Sequence, residues 1–154
     1  MRTIQNWLSE YGESHQNPTN KLVHWVCVPV IFFCVVGLLY SIKLGVHLTA
    51  TLQLNLAMVI LLATIAYYVR LSPTLAIGMT LFAGICLLIC QMIEASGISL
   101  WQVCLTLFVL AWIGQFWGHK IEGKKPSFLK DIQFLMIGPA WLMSFIYARL
   151  GIRV

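Results

Sequence analysis

Three of the chain's four histidines lie in two short polar stretches bordering apolar sequence. The first is His15-Gln16-Asn17-Pro18-Thr19-Asn20-Lys21-Leu22-Val23-His24, and the second is Gln115-Phe116-Trp117-Gly118-His119-Lys120-Ile121-Glu122. If Pro18 opens a helix, Asn17, Asn20 and His24 are spaced i, i+3, i+7 and share a face, while His15 precedes the start and can fold back over it. Trp112, Gln115, His119 and Glu122 step by three, four and three, which also makes one stripe. Polar groups at membrane depth are costly and point by default to a functional site. Imidazole suits iron, zinc, copper and nickel. Three histidines (His15, His24 and His119), with or without Glu122, fill half a coordination sphere and leave open positions for a reactant. Asn17, Asn20 and Gln115 are candidates for groups that orient the ring nitrogens. The plain alternative is that the histidines hydrogen-bond loops at a helix end.

The elements that must position these residues are apolar helices. The chain is 154 residues long, 60% hydrophobic and 10% charged, with a mean hydropathy of +0.85. A soluble domain carries about 25% charged residues. The composition predicts an all-α integral membrane protein in a single domain. Its expected form is a compact bundle of four transmembrane helices, a fifth short hydrophobic segment and an N-terminal amphipathic helix. In residues 1–16, Ile4, Trp7, Leu8 and Tyr11 recur at helical spacing. That face can lie on the membrane surface or pack on the protein's own loops. No apolar h-region or cleavage site marks this stretch as a signal peptide. Asn17-Pro18 reads as a cap followed by a first helical residue. The spans are expected at about 18–40, 47–69, 73–93 and 98–118. Residues 132–148 hold Gly138-Pro139 near their middle, so this segment spans barely or re-enters. Gly114 and Gly118 form a small-xxx-small pair that lets helices approach closely.

Charge sets the expected orientation. With the N-terminus inside, Arg2, Lys21, Arg70, Lys120, Lys124, Lys125 and Lys130 are cytoplasmic and only Lys43 is outside. The net charge of +5 is thus an orientation signal and not a nucleic-acid footprint. Four crossings separate His24 from His119, so both return to the cytoplasmic edge and can meet. His47 opens the second span on the far side and is read as an interfacial residue. Lys124 and Lys125 either attract an anionic head group or only enforce orientation. Trp101, Trp112, Trp117, Trp141, Tyr67 and Tyr68 are read as belt anchors near segment ends. The five cysteines form no C-x-x-C pair and are read as small buried residues.

The two polar stretches also carry a resemblance. His15-x-Asn17-Pro18-x-Asn20-x-x-x-His24 followed by Val28-Pro29, and Trp112-Ile113-x-Gln115-Phe116-x-Gly118-His119 followed by Glu122 and Pro126, resemble the motifs of the 2-hydroxy-fatty-acid dioxygenase family. Gly138-Pro139 resembles the A/G-Pro of its last hydrophobic segment, and the wording from Glu122 to Phe128 is similar to the bacterial branch. The resemblance covers nearly the whole chain. It implies an Fe(II)-dependent membrane enzyme of fatty-acid α-oxidation that uses O2 to shorten 2-hydroxy fatty acids by one carbon. It further implies His15, His24 and His119 as iron ligands or their close support, and a bacterial inner-membrane location with the site facing the cytoplasm. One departure is that the carboxylate stands three residues after His119, where the eukaryotic branch has it four after.

Two other classes fit the residues. A zinc-dependent lipid hydrolase would use the same histidines. A small membrane scaffold or transporter would use none, although transporters often show duplicated halves and this chain has no visible repeat. A two-iron desaturase needs many more histidines than four. Expected partners are a 2-hydroxy fatty acid or related lipid and the surrounding membrane lipids.

Overall fold

The computed structural model describes residues 3–50, 52–123 and 132–154. Six helices and one two-stranded hairpin follow in the order α1 (Ile4–Glu13), α2 (Pro18–Tyr40), β1 (Lys43–His47), β2 (Gln53–Asn55), α3 (Leu56–Leu71), α4 (Pro73–Ala95), α5 (Leu100–Glu122) and α6 (Ile132–Arg149). Among the described residues, α2, α4 and α5 are long and apolar enough to cross a membrane, and α3 is a shorter apolar helix. Large side chains such as Leu22, Leu62, Ile77 and Leu81 face outward, which suits a protein whose solvent is hydrocarbon.

The local chemistry explains most helix starts. Thr3 caps α1 by accepting from the Asn6 N–H, and Asn17 Oδ1 caps α2 by accepting from Thr19 N (2.9 Å) and Asn20 N (3.4 Å). Pro18 and Pro73 occupy first-turn positions, where a missing N–H costs nothing. Helix α1 buries Ile4, Trp7 and Tyr11. Trp7 and Tyr11 pack with Val28 of α2 and Ile137, Trp141 and Leu142 of α6. Its apolar face is thus covered by the protein's own helices.

One element differs from the expectation. The helix expected from about residue 47 starts at Leu56, because residues 43–55 form the antiparallel hairpin, with Lys43 opposite Asn55 and His47 opposite Gln53. The physical reasons are local. Gly45 has φ +75, which ends helical continuation, Val46 and Thr49 are β-branched, and buried Asn55 caps α3 by accepting from Met58 N at 3.2 Å. At 16 residues, α3 is only ~24 Å long, short of the ~30 Å hydrocarbon core.

Helices α2 and α5 make the most extensive contact in the bundle. Their approach depends on two glycines. A Cβ at Gly114 would sit 2.8 Å from Cys27 Sγ, and one at Gly118 would sit 2.5 Å from Asn20 Oδ1. Either Cβ would force the facing side chain or the helix behind it to shift. The two helices run antiparallel, so the start of α2 lies beside the end of α5. Below that level, Cys34, Cys86, Cys90 and Cys104 pack with Tyr40 and Leu100 in one core cluster. All five cysteines are free thiols.

Candidate metal centre

His15 lies in the connection between α1 and α2, His24 on the second turn of α2, and His119 on the last turn of α5. Their rings converge. Centroids are 4.1 Å apart for His15–His24, 4.9 Å for His24–His119 and 5.1 Å for His15–His119. One nitrogen from each lies within 4.8 Å of the others. All three side chains are at most 3% exposed.

The hydrogen bonds settle which nitrogens face inward. His15 Nδ1 is 2.6 Å from the Tyr11 carbonyl, and His24 Nδ1 is 2.9 Å from the Asn20 carbonyl. A carbonyl only accepts, so both Nδ1 atoms carry the proton and donate it. Each Nε2 is then an unprotonated lone pair, and neither has a hydrogen-bond partner among the described residues. Both His119 nitrogens are also without one there. A buried polar atom left unpaired costs about 1–3 kcal/mol, and here several do so at one point. A cation bound between the rings removes that penalty, and backbone-fixed imidazoles of this kind are what metal sites use. The donor set fits a metal that accepts three nitrogen ligands and keeps further positions open.

His15 is kept in the ligand form by its surroundings. Burial lowers its pKa below the ordinary 6.5, outweighing the Tyr11 carbonyl and Glu122, which raise it, while Lys21 lowers it further. The ring stacks on Tyr11 (4.3 Å between centroids, 11° between planes) and leans on Trp141 at 5.2 Å.

Glu122 does not stand with the three rings. Its Oε1 accepts from Gln16 N at 2.8 Å, and its Oε2 accepts from Asn17 N at 2.8 Å and Asn20 Nδ2 at 3.1 Å. The clustered ligand atoms are those of the three histidines, without Glu122. Its oxygens bond the backbone and side chain of the segment that follows His15, so the carboxylate fastens that segment to the end of α5. It also places a negative charge at the N-terminus of α2, where the helix dipole favours one.

The polar neighbours divide by role. Asn20 orients His24 through its backbone carbonyl, while its amide nitrogen serves Glu122 and the Ser14 carbonyl. Asn17 caps α2, and no ring nitrogen is among its bonds. Gln115 is 2% exposed with Oε1 unpaired, and it lines a cavity beside the cluster with Tyr11, Val28 and Phe32. Lys124 and Lys125, the head-group candidates, lie outside the described residues. His47 is remote from the cluster: α2 alone separates residue 24 from residue 40 by ~24 Å, and the His47 ring pairs with Gln53.

Sequence spacing missed the walls of the site. Trp141 and Tyr68, read as belt anchors, are buried, with Trp141 against His15 and the Tyr68 hydroxyl donating to the Met136 carbonyl at 2.6 Å. Trp141 lies two residues after Pro139 and faces the α1 surface that also needed cover. That pairing of two unpartnered apolar faces was the available signal.

Comparison with known proteins adds two findings. A family model described as "Mpo1-like: 2-hydroxy-palmitic acid dioxygenase Mpo1-like" matches residues 1–150. The 2-hydroxy-palmitic acid dioxygenase MPO1 of Saccharomyces cerevisiae is 30% identical over 154 residues, covering 96% of this chain and 82% of the yeast protein. No solved structure matches the chain.

Proposed function

From the premise that the chain belongs to the Mpo1-like family, we propose that it is an iron-dependent dioxygenase that uses O2 to shorten 2-hydroxy fatty acids by one carbon. The observation that carries the proposal is the convergence of three buried imidazoles, two of them locked by backbone carbonyls with their lone pairs inward.

His15, His24 and His119 hold the iron. Bound there, iron supplies redox chemistry with dioxygen and open positions for a hydroxy-carboxylate. The chain's own residues do the rest. The Tyr11 and Asn20 carbonyls keep the Nδ1 protons in place, so neither ring changes tautomer when a ligand arrives. Gln115 Oε1, buried and unpaired among the described residues at the cavity wall, accepts a hydrogen bond from the substrate's 2-hydroxyl. This interaction discriminates strongly against an acid that lacks the hydroxyl. Tyr11, Val28 and Trp112 exclude water from the cavity. Lys124 and Lys125 attract the carboxylate towards the membrane edge. The charge asymmetry of the loops favours a cytoplasmic N-terminus and site edge, in a membrane we take to be a bacterial inner membrane.

The test is metal content and oxygen uptake of detergent-purified protein beside His24→Ala and His119→Ala. Near-stoichiometric iron, lost in both variants together with oxygen uptake on 2-hydroxypalmitic acid, is the expected result. Zinc in the wild type with no oxygen uptake would move the site to hydrolytic chemistry. A folded wild type that takes up no metal after anaerobic Fe(II) addition would refute the proposal.

A further inference from the structure

A narrow space of about 20 Å³ lies between α1, α2, α5 and α6, lined by Gln115 and by Tyr11, whose ring stacks on His15. A second and wider compartment of about 190 Å³ lies between α2, α3 and α6, reaching Leu39 and Ile60. The two share a wall, because Phe32 of α2 and Leu135 of α6 line both. Pro139 lines the first space, and having no N–H it cannot hold the carbonyl of Leu135, the wall residue one turn earlier. The second compartment is apolar throughout. Its one hydroxyl, on Thr64, is spent on the Ile60 carbonyl at 2.9 Å.

We propose that the acyl chain of the 2-hydroxy acid runs from the histidine cluster past Phe32 and Leu135 into the compartment between α2, α3 and α6. The proposal rests on the dioxygenase reading for its head group and adds where the tail lies. Length supports the assignment. From His24 to Leu39, α2 rises ~22 Å, and an extended chain of ~1.5 Å carbon–carbon bonds advances about 1.25 Å per carbon. The path therefore matches a chain of roughly palmitoyl length. The shared border at Phe32 and Leu135 is what ties this compartment to the space beside the polar site, and these two side chains must turn aside for a chain to pass. A bilayer lipid lying in it would have no head group at the histidines. A third space, near Trp25 and Ile146, meets the site cavity only at Pro139.

Two measurements test the path. In the first, Ile60→Trp narrows the far compartment, and the ratio of kcat/KM for 2-hydroxypalmitic over 2-hydroxyoctanoic acid is read. The expected result is a fall of at least tenfold in that ratio. A general structural defect lowers both values and leaves the ratio unmoved, which would overturn the path. In the second, which needs no turnover, 2-hydroxypalmitic acid with a diazirine at its terminal carbon is photo-crosslinked to the wild type. Labelling of the Ile60–Thr64 turn, competed by unlabelled 2-hydroxypalmitic acid, is expected. Labelling near Trp25 and Ile146, labelling spread over outward-facing residues, or labelling that the free acid does not compete overturns the path. Competed labelling of α3 without oxygen uptake keeps the path and removes the dioxygenase reading. Oxygen uptake with labelling elsewhere does the reverse.

Discussion

The three bonds that Glu122 accepts from the Gln16–Asn20 segment make a sharp prediction for Glu122→Gln. The amide keeps one acceptor oxygen for a single N–H but replaces the other oxygen with a donor. Whichever way it turns, an NH2 group meets a donor: the Gln16 N–H in one rotamer, and the Asn17 N–H and Asn20 Nδ2 in the other. At least one of three charge-assisted bonds is lost. Such a bond is worth about 1.5–3 kcal/mol when buried. The Gln16 side is exposed and the other two bonds are part-buried, so solvent screening reduces the sum. A loss of about 2 kcal/mol is expected. For a chain of this size, that corresponds to a fall of roughly 4–8 °C in Tm. The assay is thermal unfolding of metal-free protein in detergent. If Glu122 were a ligand and nothing more, its removal would leave the metal-free protein as stable as wild type and would show only in metal affinity. An unchanged apo Tm with lost metal would refute the fastener role.

Further predictions follow from the same geometry. Gly118→Ala puts a Cβ 2.5 Å from Asn20 Oδ1 and 3.3 Å from Val23 Cγ1, forcing the Asn20 side chain or α2 behind it to shift. Overpacking of this kind costs about 1–3 kcal/mol, and metal occupancy measured by mass spectrometry should fall about tenfold, whereas Gly84→Ala, where nothing lies within 4 Å, should change neither. The His15 pKa lies below its ordinary 6.5, so between those values the unfolded chain binds the extra proton. Its contribution to apo stability is therefore full above about pH 6.5 and is lost as pH falls towards the folded-state value. Melting temperatures taken at pH 7.5 and 5.5 should fall more in wild type than in His15→Phe, and equal falls would count against it. Asn55→Ala removes the α3 cap and should cost about 0.5–2 kcal/mol in chemical denaturation while leaving metal content intact.

Much of the site could be read from spacing because it depends on helix periodicity. Asn20 and His24 share a face, as do Gln115 and His119, and the Gly114–Gly118 pair marks where α5 can meet α2. The expectation of an even number of crossings between the two stretches was the ground for putting them at one level, and the rings do converge. What spacing does not contain is the direction of each polar atom. A carboxylate three residues after a histidine can ligate a metal or accept from a backbone, and only the path of Gln16 and Asn17 decides. The hairpin was legible but missed. Leu44, Val46, Leu48, Ala50, Leu52 and Leu54 alternate at the period of a strand, but the run abuts the apolar stretch of α3 and was merged with it. Trp141 was hidden because its partner, the apolar face of α1, lies more than a hundred residues away in sequence.

The connection carrying His15 is held from two sides, and this bears on what the metal does for the fold. Glu122 fixes the backbone at Gln16 and Asn17, and Tyr11 stacks on the ring and accepts the hydrogen bond of its Nδ1–H through the backbone carbonyl. Neither restraint involves the inward lone pairs. The ligand geometry is therefore set before any ion arrives, and binding does not have to order a loose segment. Three ligands from distant parts of the chain would otherwise carry a loop-closure cost on binding, since His24 and His119 are separated by most of the sequence. Here the α2–α5 contact and the Glu122 fastening have already met that cost during folding. Free energy not spent on ordering the site remains available for holding the metal with open positions, which catalysis needs and a fully ligated structural site does not provide.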